Sequence, residues 1–135
     1  ARPPLATTDA LAPVALTPAA AFAAEAGDRV FFAPNDAELG PRGRVVLERQ
    51  AAWLRANPQT LATIVGHAGE DDSTEIRGPL SRARAEQVRQ ILIRLGVAPG
   101  RLAATGFAGQ QPFASAVTAA GRALNRRAVT VLTPR

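Results

Sequence analysis

The chain of 135 residues contains no cysteine and a single histidine, His67. Without cysteine, disulfides, thiolate chemistry and cysteine-based metal sites are excluded. The cellular compartment stays open, because cysteine-free chains occur in reducing and oxidising spaces alike.

Lysine is also absent, so the formal net charge of +5 comes from 16 arginines set against 11 acidic residues. The planar guanidinium fork matches carboxylates and phosphates, and the composition therefore fits a polyanion or an acidic wall polymer as partner. Nucleic acid is not favoured as a partner, because no basic strip interleaved with aromatic residues and no known recognition helix is present.

Long apolar runs are missing too. No stretch approaches the roughly 20 apolar residues of a membrane-spanning helix. The first 27 residues are rich in alanine and proline without a sustained period, and prolines interrupt every candidate signal-peptide core. We predict a flexible tether over residues 1–27 and a single domain over residues 28–135, with any membrane attachment made through a lipid or a region outside this chain.

Strand-like and helix-like segments alternate after the tether. Short runs rich in β-branched or aromatic residues predict strands, and apolar residues at helical spacing predict the helices between them. The second long helix is predicted to bury Leu80, Ala83, Val88, Ile91, Leu92 and Leu95. In order, the segments are "GDRVFFA", a helix from Pro41 to Pro58, "TLATIVG", "PLSRARAEQVRQILIRLGV", "RLAATGFAG", "TAAGRALNRR" and "AVTVL".

This order predicts the fold class. Strands separated by helices of 12 or more residues require crossover connections and at least one parallel pair. We expect an α/β fold, a small two-layer βαβαβ(α)β sandwich with a mixed sheet of about four strands covered by helices.

Catalytic chemistry is not indicated. A Ser-His-acid triad can be assembled on paper from His67, Ser73 or Ser81 and nearby acids, but the nucleophile-elbow pattern GxSxG is absent. The acids around Asp71 lack the spacing of a calcium loop, and no phosphate-binding glycine loop is visible. We predict a non-catalytic protein with no metal and no cofactor.

Residues 66–88 concentrate histidine, acids and arginines. His67 follows the second strand, where two interpretations are open: a structural histidine bonded to backbone, or one wall of a groove at the carboxyl end of the sheet. Arg84 flanks the predicted buried stripe near the helix start. It either lies on a solvated face or takes a carboxylate bidentately, and periodicity does not decide between the two.

Five motifs occur in order across residues 28–132: "GDRVFFAPNDAEL", "QAAWLRANP", "TIVGHAGEDDSTE", "LSRARAEQVRQILIRLGV" and "NRRAVTVL". Together they resemble the OmpA-like peptidoglycan-binding domain, and in particular its wall-associated lipoproteins. The resemblance implies a periplasmic domain that holds the outer membrane to peptidoglycan by binding the diaminopimelate of the stem peptide, with Tol-type envelope proteins as further partners by analogy.

The family's ligand-binding residues carry over only in part. The resemblance implies that Arg84 takes the ligand's carboxylate, whereas the aspartate that receives its ammonium is replaced by Gly69. The family's glycine falls on Asp72, its asparagine on Arg77, and its frequent acid after the first strand on Ala33. The predicted ligand-binding residues are Phe32, Ala33, His67, Ala68, Gly69, Glu70, Asp72, Arg77, Leu80, Arg84, Asn125 and Arg126.

Two functions follow from this mixed pattern. The first is an anchor that binds peptidoglycan, weakened by the loss of the aspartate at Gly69. The second is a scaffold that has lost wall binding and acts as a protein-interaction module in an envelope assembly. Retention of Arg84 and of the helix around it favours the first.

Overall fold

A computed structural model describes residues 17–107 and 118–134. One helix that the sequence did not predict comes first, and the helices and strands after it follow the predicted order. Two further single turns of 3₁₀ helix lie at Thr74–Ile76 and Pro99–Arg101. Residues 108–117, which include the end of the segment "RLAATGFAG" and the following "QQP", lie outside the described residues. The elements are α1 (Pro18–Glu25), β1 (Arg29–Phe31), α2 (Pro41–Ala56), β2 (Thr60–His67), α3 (Arg77–Arg94), β3 (Leu102–Phe107), α4 (Ala119–Asn125) and β4 (Arg127–Pro134).

The four strands form one mixed sheet in the order β1-β4-β2-β3. β4 runs antiparallel to both of its neighbours, while β2 and β3 are parallel and are joined through α3. This arrangement confirms the predicted two-layer α/β sandwich.

The core lies between the sheet and the helices. Alternate residues of β2 are buried, which is the period of a strand with one face on a core. Ala62 and Ile64 of β2 belong to one hydrophobic cluster with Leu47 and Leu54 of α2 and Val88 of α3.

Helix α1 changes the predicted domain boundary. The Thr17 side chain accepts a hydrogen bond from the Ala20 N–H, and Pro18 starts the helix where no N–H is needed. Phe22 is only 1% exposed and packs edge-to-face on Trp53, with ring centroids 5.2 Å apart. The packed domain therefore begins before residue 28, and the tether prediction does not hold for residues 18–26. Residues 1–16 lie outside the described part.

Two glycines let α3 pack closely on the sheet. Gly66 of β2 and Gly106 of β3 are register partners below the start of α3. A Cβ on Gly66 would overlap the Ser81 carbonyl, and a Cβ on Gly106 would lie 2.5 Å from Ser81 Oγ. Close packing here brings the first turns of α3 onto the carboxyl end of β2.

The buried face of α3 differs from the predicted stripe. Ala83 is exposed and Leu95 is only half-buried, whereas Arg84 and Ala85 are fully buried. The prediction considered only apolar residues for this face, but an arginine occupies its middle.

Among residues 17–107 and 118–134, no helix combines the length and apolar character needed to cross a membrane.

Candidate functional site

The candidate site lies at the carboxyl end of β2, where His67 ends the strand. Three segments meet there: the loop 33–36 after β1, the loop 68–73 after β2, and the first turns of α3. Arg84 projects from α3 into their junction and its side chain is 0% exposed.

All the guanidinium N–H groups of Arg84 are engaged. Nε donates to the Asp36 carbonyl at 2.9 Å, and Nη1 and Nη2 donate to the carbonyls of His67 at 2.9 Å and Ala33 at 3.1 Å. The same two nitrogens bind the Asp72 carboxylate bidentately, at 2.7 and 2.8 Å. Because a guanidinium has five N–H donors, none is left for another group.

The Asp72 carboxylate is equally enclosed. Besides Arg84, its oxygens accept hydrogen bonds from the N–H of Asn35 at 2.7 Å and of Gly69 at 2.9 Å. Burial alone would raise the pKa of Asp72, but these hydrogen bonds and the charge of Arg84 hold that pKa below its ordinary value. Asp72 therefore stays ionised inside the protein.

Asn35 connects the loop 33–36 to the loop 68–73 through two hydrogen bonds, one as donor and one as acceptor. Its N–H binds Asp72, and its side-chain oxygen accepts from the Ser73 N–H at 2.7 Å. Asn35 has a φ of 58°, in the left-handed region that asparagine tolerates better than most residues. The loop 33–36 is thus shaped to hold the loop 68–73.

A second charge cluster lies beside the first, nearer the surface. The Asp71 carboxylate binds Arg122 Nε and Arg126 Nη1, each at 2.7 Å. Arg126 Nε also donates to the Phe32 carbonyl at 2.8 Å. Asp71 and Arg122 remain about one-third exposed, so this cluster borders the site without being sealed.

Gly69 contributes only its backbone: its N–H donates to the Asp72 carboxylate, and its carbonyl accepts from the Asp72 N–H at 3.0 Å. A Cβ at this position would lie 3.1 Å from Asn125 Cβ and 3.2 Å from the Arg122 carbonyl. A side chain there fits only if the end of α4 yields by a few tenths of an ångström. The structure thus places Gly69 beside Asn125 and Arg126.

His67 lies on the sheet next to the site. Its carbonyl binds Arg84, while its ring stacks on Phe107 with centroids 5.7 Å apart. Burial, with the nearby charges of Arg127 and Arg29, lowers the pKa of His67 to about 4. Among the described residues Nδ1 has no hydrogen-bond partner, so a histidine ring bonded to backbone through this nitrogen is not observed.

The other predicted residues surround this centre in different ways. The Phe32 ring lies 5.3 Å from the Arg84 guanidinium, and Ala68 and Leu80 are buried packing residues. Arg77 Nε donates to the Asp72 carbonyl at 3.1 Å and its Nη2 to the Glu70 carbonyl at 3.4 Å. The Arg77 side chain therefore holds the loop 68–73 by two of the loop's backbone carbonyls. The Glu70 side chain is exposed.

Three contributors were not identified from the sequence as site residues. Asn35 and Asp36 follow β1, and only the turn-forming pair "ND" signals their role. Arg122 lies on α4, where no pattern links it to Asp71, about 50 positions earlier in the chain. Within the described ranges, no group of three or more acidic or histidine side chains is placed to hold a metal ion.

The fold and this site define a class of protein before any particular relative is considered: a small α/β domain in which a buried arginine of the helix after the second strand reaches the carboxyl end of that strand. Residues 31–126 match the OmpA family. This chain belongs to the OmpA family.

Individual relatives carry names that refer to the cell wall. The chain is 34% identical over 111 residues to the peptidoglycan-associated lipoprotein of Rhizobium meliloti (strain 1021), covering 82% of this chain and 63% of that protein. It is 37% identical over 112 residues to the peptidoglycan-binding protein ArfA of Mycobacterium bovis, covering 83% of this chain and 34% of that protein. The chain thus spans less than two thirds of either relative.

Solved structures agree with the fold. The peptidoglycan-associated lipoprotein of Burkholderia pseudomallei superposes with a TM-score of 0.73 at 29% identity, covering 78% of this chain and 90% of that one. The C-terminal domain of Helicobacter pylori MotB superposes with a TM-score of 0.74 at 19% identity, covering 80% and 85%. The predicted family and its likeness to the wall-associated lipoproteins are confirmed.

Proposed function

We propose that this chain is a non-catalytic domain of the cell envelope that binds peptidoglycan through the diaminopimelate of the stem peptide, with reduced affinity. The supporting observation is the Arg84 guanidinium, which projects from α3 to the carboxyl end of β2 and donates to the His67 carbonyl. The resemblance implies that this arginine takes the ligand's carboxylate. Relatives named for association with peptidoglycan support the same assignment.

Two features of the site account for the reduced affinity. Gly69 supplies no charge for the ligand's ammonium, and removing one partner of a desolvated charge pair typically costs 2–5 kcal/mol or more. The Arg84 donors are also engaged with Asp72 and with backbone carbonyls. A ligand carboxylate therefore meets an arginine that is already paired.

Co-sedimentation with purified sacculi of the diaminopimelate type tests the proposal. The informative variant is Gly69→Asp, which restores the family's carboxylate, and its matched control is Gly69→Ala, which adds the Cβ alone. We expect weak sedimentation of the native chain and binding about tenfold or more tighter for Gly69→Asp than for Gly69→Ala. Sacculi with lysine in the stem peptide serve as the ligand control.

A second function, a protein-interaction scaffold without wall binding, is favoured by one observation: the Arg84 and Asp72 charges satisfy each other. If the native chain and both Gly69 variants all fail to sediment while remaining folded, the scaffold replaces the anchor. Periplasmic location at the outer membrane and contact with Tol-type proteins belong to the proposal, and both rest on family analogy.

A further inference from the structure

The Arg84 fork presents the geometry of a carboxylate-binding site that is already filled. Nη1 and Nη2 each face one Asp72 oxygen, at 2.7 and 2.8 Å, in the parallel arrangement typical of bidentate recognition. Both side chains are 0% exposed, so water does not compete for either.

We propose that Asp72 is an internal occupant of the carboxylate subsite of Arg84, and that an external carboxylate binds this arginine only by replacing Asp72. The inference deepens the proposed function and rests on it for the identity of the natural ligand. The ligand class is a carboxylate, of which the stem peptide carries several.

The attachments of Asp72 explain how the subsite stays closed. Asn35 binds both the Asp72 carboxylate and the Ser73 N–H, and Gly69 donates its N–H to the same carboxylate. The bonds from Asn35 and Gly69 and the pair with Arg84 converge on the Asp72 carboxylate, whereas the neighbouring residues Glu70 and Ser73 are exposed. Arg77 and Asp71 attach the loop elsewhere, but only the Asp72 carboxylate attaches it to Arg84.

The Asp72 carboxylate competes with an external carboxylate for Arg84, and this competition determines how strongly the external carboxylate is excluded. A tethered group acts at an effective concentration in the millimolar range even on a flexible linker, and the Asn35 contacts hold Asp72 more tightly than that. A free carboxylate must therefore exceed millimolar concentration to bind the native chain, whereas removal of Asp72 opens the subsite.

The first experiment measures thermal unfolding of Asp72→Ala in sodium acetate and in sodium chloride of equal ionic strength. Acetate should enter the vacated subsite and raise the Tm of Asp72→Ala by about 5 °C at 100 mM relative to chloride. The native chain and the control Asp71→Ala should show no such difference. Asp72→Asn removes the charge but leaves a side chain in the subsite, so its Tm should respond to acetate less than that of Asp72→Ala.

The acetate test decides the outcome even if Asp72→Ala folds poorly. If Asp72→Ala is unfolded in chloride, the circular dichroism of the native fold must return in acetate. If Asp72→Ala behaves the same in acetate as in chloride, folded or not, the proposal is overturned.

A second arm separates this inference from the proposed function. With sacculi in chloride, Asp72→Ala should sediment more than the native chain, and acetate should release it. Acetate stabilisation without sedimentation of any variant supports the filled subsite and rejects wall binding. Sedimentation without acetate stabilisation supports wall binding and rejects the filled subsite.

Discussion

Asp71 and Asp72 are neighbours in the chain, and each binds arginine through both carboxylate oxygens, yet their surroundings differ. Asp72 is enclosed by Arg84 and two backbone N–H groups, with side chains 0% exposed. Asp71 binds Arg122 and Arg126 with distances just as short, but about 30% of its side chain remains exposed.

The contrast separates geometry from energy. Equal bond lengths do not imply equal contributions, because water screens a surface pair and desolvation makes a buried pair costly to break. We therefore expect the Asp72 pair to control both folding and ligand access, whereas the Asp71 cluster adjusts only the position of α4.

The largest expected effect comes from breaking the buried pair at its arginine. Arg84→Ala leaves the Asp72 carboxylate buried without a charge partner and should destabilise the fold by about 3–5 kcal/mol, measured by urea unfolding. Arg82→Ala, two positions earlier on the exposed side of α3, is the matched control and should cost less than about 0.5 kcal/mol.

Equal stability losses for Arg84→Ala and Arg82→Ala would remove the energetic distinction between buried and surface charge in this molecule. The same result would show that Asp72 finds another partner when Arg84 is lost. Because Arg84→Ala weakens the fold, lost wall binding in that variant says little about the ligand, which is why the functional test uses Gly69.

Much of the fold follows from pattern. Strand runs, helical spacing and the stops at Pro58 and Gly96 predict the order of elements, and the crossover through α3 requires the parallel pair β2 and β3. The burial of Phe22 does not follow, because the helix that carries it is short, flanked by proline-rich sequence, and held in place by Trp53.

Of the site, only the residues that match the family motif could be predicted from the sequence. The resemblance implies Arg84 and marks Gly69 as a departure, but it gives no partner for the arginine. Asp72 stands where the family has glycine, and its bond to Arg84 depends on the loop conformation that Asn35 supports. Nothing in local sequence distinguishes Asp72 from Asp71, since the enclosure of Asp72 depends on Arg84, 12 positions later, and on Asn35, 37 positions earlier.

His67 extends the comparison, because it is buried like Asp72 but has no charge partner. Its pKa of about 4 keeps it neutral in the folded state, whereas the unfolded chain takes up a proton near pH 6.5. The stability that depends on neutral His67 is present above pH 6.5 and is lost as pH falls toward 4. We expect a loss of about 2–3 kcal/mol between pH 7.5 and 4.5.

His67→Gln should flatten this pH dependence. Because the chain has one histidine, the ring proton resonances of His67 do not overlap with those of other histidines and their titration can be followed directly. Asp72 acts in a lower window, because its pKa lies below 3.8 and its contribution is lost only as pH falls through that lowered value. A His67 resonance titrating near pH 6.5 would contradict the burial of its ring.

The smallest expected effect is at Asp71. Asp71→Asn keeps the shape of the side chain and removes the charge shared by Arg122 and Arg126, and it should cost about 0.5–1 kcal/mol in urea unfolding at low salt. The loss should shrink in 0.5 M sodium chloride, because salt screens exposed charges much more than buried ones. A loss that is as large as that of Arg84→Ala and insensitive to salt would mean that the Asp71 cluster is sealed from water, and the two neighbouring aspartates would then be energetically alike.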